Sequence, residues 1–254
     1  MVEGPAETSP LIDEAVEVAR RLVAERFPQA RAAWLGGSVA RGTATSTSDL
    51  DITVLLAGSP APMRESLRYA DWPVELFVHT ERSLAHYCRK DRDRRQPSMM
   101  RLVGESIILV DATEGGGLAM RLQADCVAQV QAGPDALSED ELAMLRYRVS
   151  DLLEDLIGAD SNDIRAVVAA SLWQEAAALL LTGDRRWSGT GKGLLHEVAA
   201  YDSDCGTAHA VALVDGIRAA VCGDPAPLTT ETDKILAAYG GRLFAGFHLT
   251  ASEG

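Results

Sequence analysis

The sequence predicts an α+β protein: a small mixed sheet with helices over 1–114, followed by an α-helical bundle over 115–254. Three observations predict it. Up to residue 114, short apolar runs at 31–35, 50–56, 74–78 and 107–110 are separated by breaks rich in glycine and proline. Beyond that point the apolar period lengthens to steps of three and four, the period of helices. Between the two parts lies Glu114-Gly115-Gly116-Gly117, where three glycines weaken any element crossing them.

The elements follow in order. Ser9-Pro10 offers a cap and a proline for the first helical turn, and Leu11, Ala15, Val18, Ala19, Leu22 and Val23 then recur at helical spacing as far as Phe27. A strand over 31–35 leads into a glycine turn with a short helix, then a strand over 49–56. After the Gly58-Ser59-Pro60-Ala61-Pro62 break, 63–70 is expected to make one or two helical turns. Asp71-Trp72-Pro73 is a second break before the strand at 74–78. The mixed-sign run 89–95 reads as a solvated helix face or loop, and 107–110 as a further strand.

In the second part a helix over 118–130 is closed by Gly133-Pro134. Ser138 and Glu141 form a capping box ahead of Leu142, Leu145, Val149, Leu152 and Leu156, so the next helix runs to about Gly158. Asp163 is expected to cap another that ends at Gly183, and shorter helices are expected over 194–201, 208–222 and 235–244. Helices joined by short loops without a strand pattern imply a bundle.

Composition narrows the function. Of 254 residues, 24% are charged and 47% hydrophobic, which is ordinary for a globular protein. No apolar run is expected to approach the roughly 18 residues that span a bilayer. The first thirty residues hold acidic groups in place of a basic, apolar leader, so a cytoplasmic protein with no membrane partner is expected. Cys88, Cys126, Cys205 and Cys222 are widely spaced, which supports buried thiols and neither a disulfide framework nor a zinc knuckle. The net charge of -13 divides into -3 up to Glu114 and -10 from Gly115 onward. That balance argues against nucleic acid as a partner and suits a cationic one. Nothing in the residues sets the oligomeric state.

The chemistry-bearing stretch is Leu35-Gly36-Gly37-Ser38-Val39-Ala40-Arg41-Gly42, followed by Ser48-Asp49-Leu50-Asp51-Ile52. Side chains alternate along a strand, so Asp49 and Asp51 share one face opposite Leu50 and Ile52. Two such close carboxylates repel each other unless a cation sits between them, and Mg²⁺ is commonly held by one or two carboxylates together with substrate phosphates. Gly37 permits close backbone approach, the Ser38 hydroxyl can grip a phosphate, and Arg41 adds a positive charge. Glu75 lies within the apolar strand at 74–78 and is costly to bury without a partner. On a neighbouring strand it would join the same metal face. His79, at that strand's end, reads as a surface or hydrogen-bonded residue outside the site. Two other phosphate loops fail. Gly37 and Gly42 have Walker A spacing, but Thr43 stands where lysine is required, and the Gly189-Thr190-Gly191-Lys192 run has Arg186 where the first glycine belongs.

Gly36-Gly37-Ser38, the ten-residue gap and Asp49-x-Asp51 resemble the signature of the polymerase-β-like nucleotidyltransferases, in particular the minimal and the aminoglycoside nucleotidyltransferases. The resemblance implies a catalytic domain over 1–114 in which Ser38 binds ATP, Asp49 and Asp51 hold Mg²⁺, and Glu75 is the third carboxylate, as metal ligand or base. Glu154 and Asp155 are the rival carboxylates in the helical part. The loop from Thr182 to Lys192 resembles the Thr-Gly loop of the aminoglycoside adenylyltransferases, which makes Arg186 and Lys192 candidates for contact with the triphosphate. The implied partners are a nucleoside triphosphate and a small cationic acceptor, as in antibiotic resistance. The alternatives are AMP transfer to a partner protein and nucleotide binding without transfer.

Overall fold

Burial on both faces of one five-stranded sheet organises the first half of the protein. The structure, a computed structural model, describes residues 10–112 and 116–248. It divides into two compact units, Met1–Ala132 and Gly133–Gly254. The first contains α1 (Pro10–Arg26), β1 (Ala32–Leu35), α2 (Gly37–Ala40), β2 (Leu50–Leu55), β3 (Met63–Tyr69), β4 (Trp72–His79), α3 (Glu81–Arg94), α4 (Ser98–Gly104), β5 (Ile107–Asp111) and α5 (Leu118–Ala132). Strand order is β3-β4-β2-β1-β5. Only the β2–β4 pairing is parallel, so the sheet is mixed, as expected.

One sheet face presents Leu35, Leu50, Ile52, Val54, Leu76 and Val78 to the apolar stripe of α1, where Ala15, Ala19, Leu22 and Val23 are buried. Wholly buried leucines and isoleucines of this kind each contribute about 1.5–3 kcal/mol. The other face, which carries Trp34, Thr53 and Leu55, is covered by α3, α4 and α5. Asp91 on α3 accepts the Met100 N–H of α4 at 2.9 Å, satisfying an amide in the first turn of a helix whose own N-cap, Pro97, has no capping side chain.

Two expectations are corrected here. Residues 63–69 form a strand, not helical turns. Met63, Glu65, Leu67 and Tyr69 are partly covered, while Arg64, Ser66 and Arg68 are exposed, a period of two. Ala70 and Asp71 both take positive φ (47° and 68°) and close a two-residue hairpin between β3 and β4. The expected boundary at 114/115 precedes the division between units, because α5 packs on α4, β1 and β5. Of the expected glycine joint, Glu114 and Gly115 lie outside the described residues, as does Ser9 of the expected first cap. Finally, the thiols divide: Cys88 and Cys126 are buried, Cys205 and Cys222 exposed.

The second unit holds α6 (Glu139–Gly158), α7 (Asn162–Gly183), α8 (Lys192–Cys205), α9 (His209–Val221) and α10 (Ala226–Ala238). The Ser138–Glu141 capping box is present, with the Glu141 N–H donating to Ser138 Oγ at 3.2 Å and the Ser138 N–H to Glu141 Oε2 at 2.8 Å. α7 is capped by Ser161, which accepts from the Ile164 N–H at 3.2 Å, rather than by Asp163, which stands inside the first turn. With 22 residues, α7 is long and apolar enough by length and composition to cross a membrane. In this unit it packs against α6, α8, α9 and α10, and buries Leu172, Ala176, Ala177 and Leu179. The last helix lies earlier than expected. It stops at Ala238, and the tail after it folds onto α6, where Arg146 donates to the Gly240 and Gly241 carbonyls.

Candidate metal–nucleotide site

The parallel register of β2 and β4 sets Asp51 directly opposite Glu75. Asp49 stands just ahead of β2, one pleat from Asp51. Asp49, Asp51 and Glu75 are half-buried, and each offers a carboxylate oxygen within 4.8 Å of the others. Three hard oxygen donors at this spacing could hold a divalent cation.

The glycine turn is built around this cluster. At Gly37, with φ +71°, a Cβ would lie 2.0 Å from Asp51 Oδ2, so any side chain there displaces the Asp51 carboxylate. At Gly36 a Cβ would lie 2.6 Å from the Leu102 carbonyl oxygen, so the second glycine lets α4 close over the turn. The Gly36 N–H donates to the Asp51 carbonyl at 2.8 Å and ties the turn to the strand carrying the acid. Ser38 donates from Oγ to Ser48 Oγ at 2.9 Å, and Ser48 in turn accepts the Thr45 N–H at 2.9 Å. Arg41, at the C-cap of α2, lies 3.8 Å from Glu105, a loose pairing.

Burial first, then the charges of Asp49 and Glu75, push the Asp51 carboxyl up from an ordinary 3.8 to about 6, against the opposing pull of Arg41 and Arg64. Such a shift marks negative charge that a bound divalent cation would relieve. Because the folded value lies above the unfolded one, protonation favours the metal-free fold. The contribution is complete below pH 3.8 and is lost as pH rises through about 6. We therefore expect Asp51→Asn to stabilise the metal-free protein by roughly 1–3 kcal/mol at pH 7.5 and by less at pH 5. Thermal unfolding at the two pH values checks this, and an equal or opposite change would contradict it.

Sequence reasoning missed two residues of the site. Ser48 holds the Ser38 hydroxyl, and its position immediately before Asp49 was the available signal. Arg64 donates to Glu75 Oε2 at 2.7 Å, but it lay in a segment expected to be helical. His79 is four residues along β4 from Glu75, about 13 Å at strand rise. It is buried, its ring is held toward the neutral form by desolvation, and Nδ1 faces Ser83 Oγ at 3.2 Å. Arg186 and Lys192 belong to the second unit. Arg186 is paired with Asp204 at 2.8 Å, and Lys192 opens α8 and is exposed. The Thr182–Gly183 turn has a packing role, since a Cβ on Gly183 would lie 2.4 Å from the Tyr239 ring, whose hydroxyl donates to Asp184 at 2.9 Å. Glu154 and Asp155, also in the second unit, line a cavity of about 430 Å³ with Asp160, Ile164 and Val168, and Glu154 is paired with Arg242.

A glycine turn against clustered carboxylates at a strand start is an arrangement that could hold a metal ion beside a phosphate. Residues 16–84, which span α1 to the start of α3, match the family described as nucleotidyltransferase domain. The first unit thus carries a nucleotidyltransferase domain of the polymerase-β-like type, which supports nucleotidyl transfer. Among solved structures, a nucleotidyltransferase-like protein from Exiguobacterium sibiricum aligns with 13% identity and a TM-score of 0.41, covering 87% of this chain and 78% of that one. No curated protein matches the chain.

Proposed function

We propose that the protein transfers a nucleoside monophosphate, AMP from ATP, to a hydroxyl of a small cationic acceptor such as an aminoglycoside. The observation that carries this reading is the convergence of Asp49, Asp51 and Glu75 beside the Gly37–Ser38 turn. Held by these three carboxylates, Mg²⁺ would supply charge neutralisation at the phosphates. Ser38 and the amides of the turn hold the outer phosphates, with Arg41 adding positive charge. The acceptor hydroxyl gives up its proton to a base as its oxygen attacks the α-phosphorus, the new O–P bond forms, and the bond to pyrophosphate breaks in line. Catalysis of this kind consists mainly of positioning. The -10 charge from Gly115 onward supports a cationic acceptor.

Pyrophosphate release from Mg²⁺–ATP, screened against aminoglycosides, simple polyamines and candidate proteins, tests the assignment. Release with a cationic small molecule supports it. Release only with a protein favours the partner-modifying alternative, and none with any acceptor counts against transfer. Ser38→Ala removes one phosphate contact and no metal ligand. Its expected cost is about 1–3 kcal/mol of triphosphate affinity with bare-metal binding unchanged. Unchanged ATP affinity in a calorimetric titration would remove the turn from the phosphate site.

A further inference from the structure

The edge strand β3 places one cation beside the acid cluster. Ser66 is the direct partner of Glu75, and Arg64 pairs with Phe77, so Arg64 lies diagonally across the same face from Glu75. Its guanidinium donates to Glu75 Oε2 at 2.7 Å and lies over the Phe77 ring, 5.0 Å from the centroid. The Arg64 side chain is 63% exposed and that of Glu75 27%. Arg64 makes no other hydrogen bond among the described residues, so most of its five N–H donors remain toward solvent.

The charges fix what such a residue is for. Three carboxylates and one divalent cation leave the cluster with one negative charge, and the triphosphate that must approach it is itself strongly anionic. A guanidinium clamped to the third carboxylate cancels that remainder. Phe77 and Glu75 together pin it, which reduces the ordering cost of a long side chain.

We propose that Arg64 serves this site as a fixed positive charge: held by Glu75 and Phe77, its guanidinium admits a metal-bound nucleoside triphosphate to the acid cluster. The inference rests on the nucleotidyl-transfer reading above. It predicts a loss for one ligand and none for the other, which a residue serving only to hold the sheet together would not produce. Removing the cation leaves Mn²⁺ alone bound equally or more tightly, because a repelling charge is gone. It weakens Mn²⁺–ATP by about tenfold or more, the scale of a lost charge-assisted interaction.

Calorimetric titration of Mn²⁺, and separately of Mn²⁺–ATP, into the full chain and into Arg64→Ala tests it. Arg64→Lys should recover most of the nucleotide affinity, since it restores the charge. Arg64→Gln, which keeps a donor to Glu75 but not the charge, reads the same quantity if the alanine variant does not fold. Unchanged Mn²⁺–ATP affinity, or a parallel loss for both ligands, overturns the inference while the reading of the site stands. Wild-type protein that binds neither ligand overturns the reading itself and the inference with it.

Discussion

Asp51→Asn is expected to reduce nucleotidyl transfer by on the order of 10³-fold or more, because loss of the bound metal forfeits several kcal/mol of charge stabilisation and each 1.36 kcal/mol is a factor of ten. The fold should survive. Asp51 is raised to about 6 by burial and by its acidic neighbours, so the neutral amide removes an uncompensated charge and fits the same space. The backbone hydrogen bond from Gly36 to the Asp51 carbonyl does not depend on the side chain. The check pairs pyrophosphate release at saturating Mg²⁺ with thermal unfolding of the metal-free protein. Near-wild-type turnover would remove Asp51 from the site, whereas a collapsed fold would show that the carboxylate is structural.

The second large effect is expected at Glu75. Loss of a general base costs roughly 10²- to 10⁴-fold in turnover and leaves metal binding untouched. Carboxylate oxygens within 4.8 Å of those of Asp49 and Asp51 predict a different pattern for Glu75→Gln, with metal affinity and turnover falling together. Calorimetry of Mg²⁺–ATP binding beside the turnover number separates the two. Intact binding with a slow rate would make Glu75 the base, and wild-type values for both would exclude it and move the search to Glu154 and Asp155.

The site was legible where one strand period carried it. Asp49 and Asp51 flank Leu50, and Glu75 stands between Val74 and Leu76, so alternation alone put all three opposite their apolar neighbours. The pairing of β2 with β4 then brought them together. What could not be read was β3. Its hairpin turns through Ala70 and Asp71, both at positive φ, where the usual signal is Asn-Gly or Asp-Gly. Without that signal the strand was read as helix and Arg64 was lost with it.

Similar reasons hid the last helix. α10 opens with Ala226-Pro227-Leu228-Thr229-Thr230, a poor helical sequence. It buries Glu231, which is satisfied by His209 at 2.5 Å and Lys234 at 3.0 Å. Such long-range partners leave no mark on local periodicity. The apolar residues that drew the expected helix to 244 follow Gly240 and Gly241, whose positive φ values end it.

The proposed activity rests on joint capture of a nucleotide-bearing metal by Asp49, Asp51 and Glu75. Anomalous scattering from Mn²⁺ tests it most directly, in crystals grown with an ATP analogue that cannot be cleaved between the α- and β-phosphates. One strong peak is expected, bonded to carboxylate oxygens of Asp51 and at least one of its two neighbours, with phosphate density at Ser38. A peak that touches none of the three, with the analogue bound elsewhere, would contradict it.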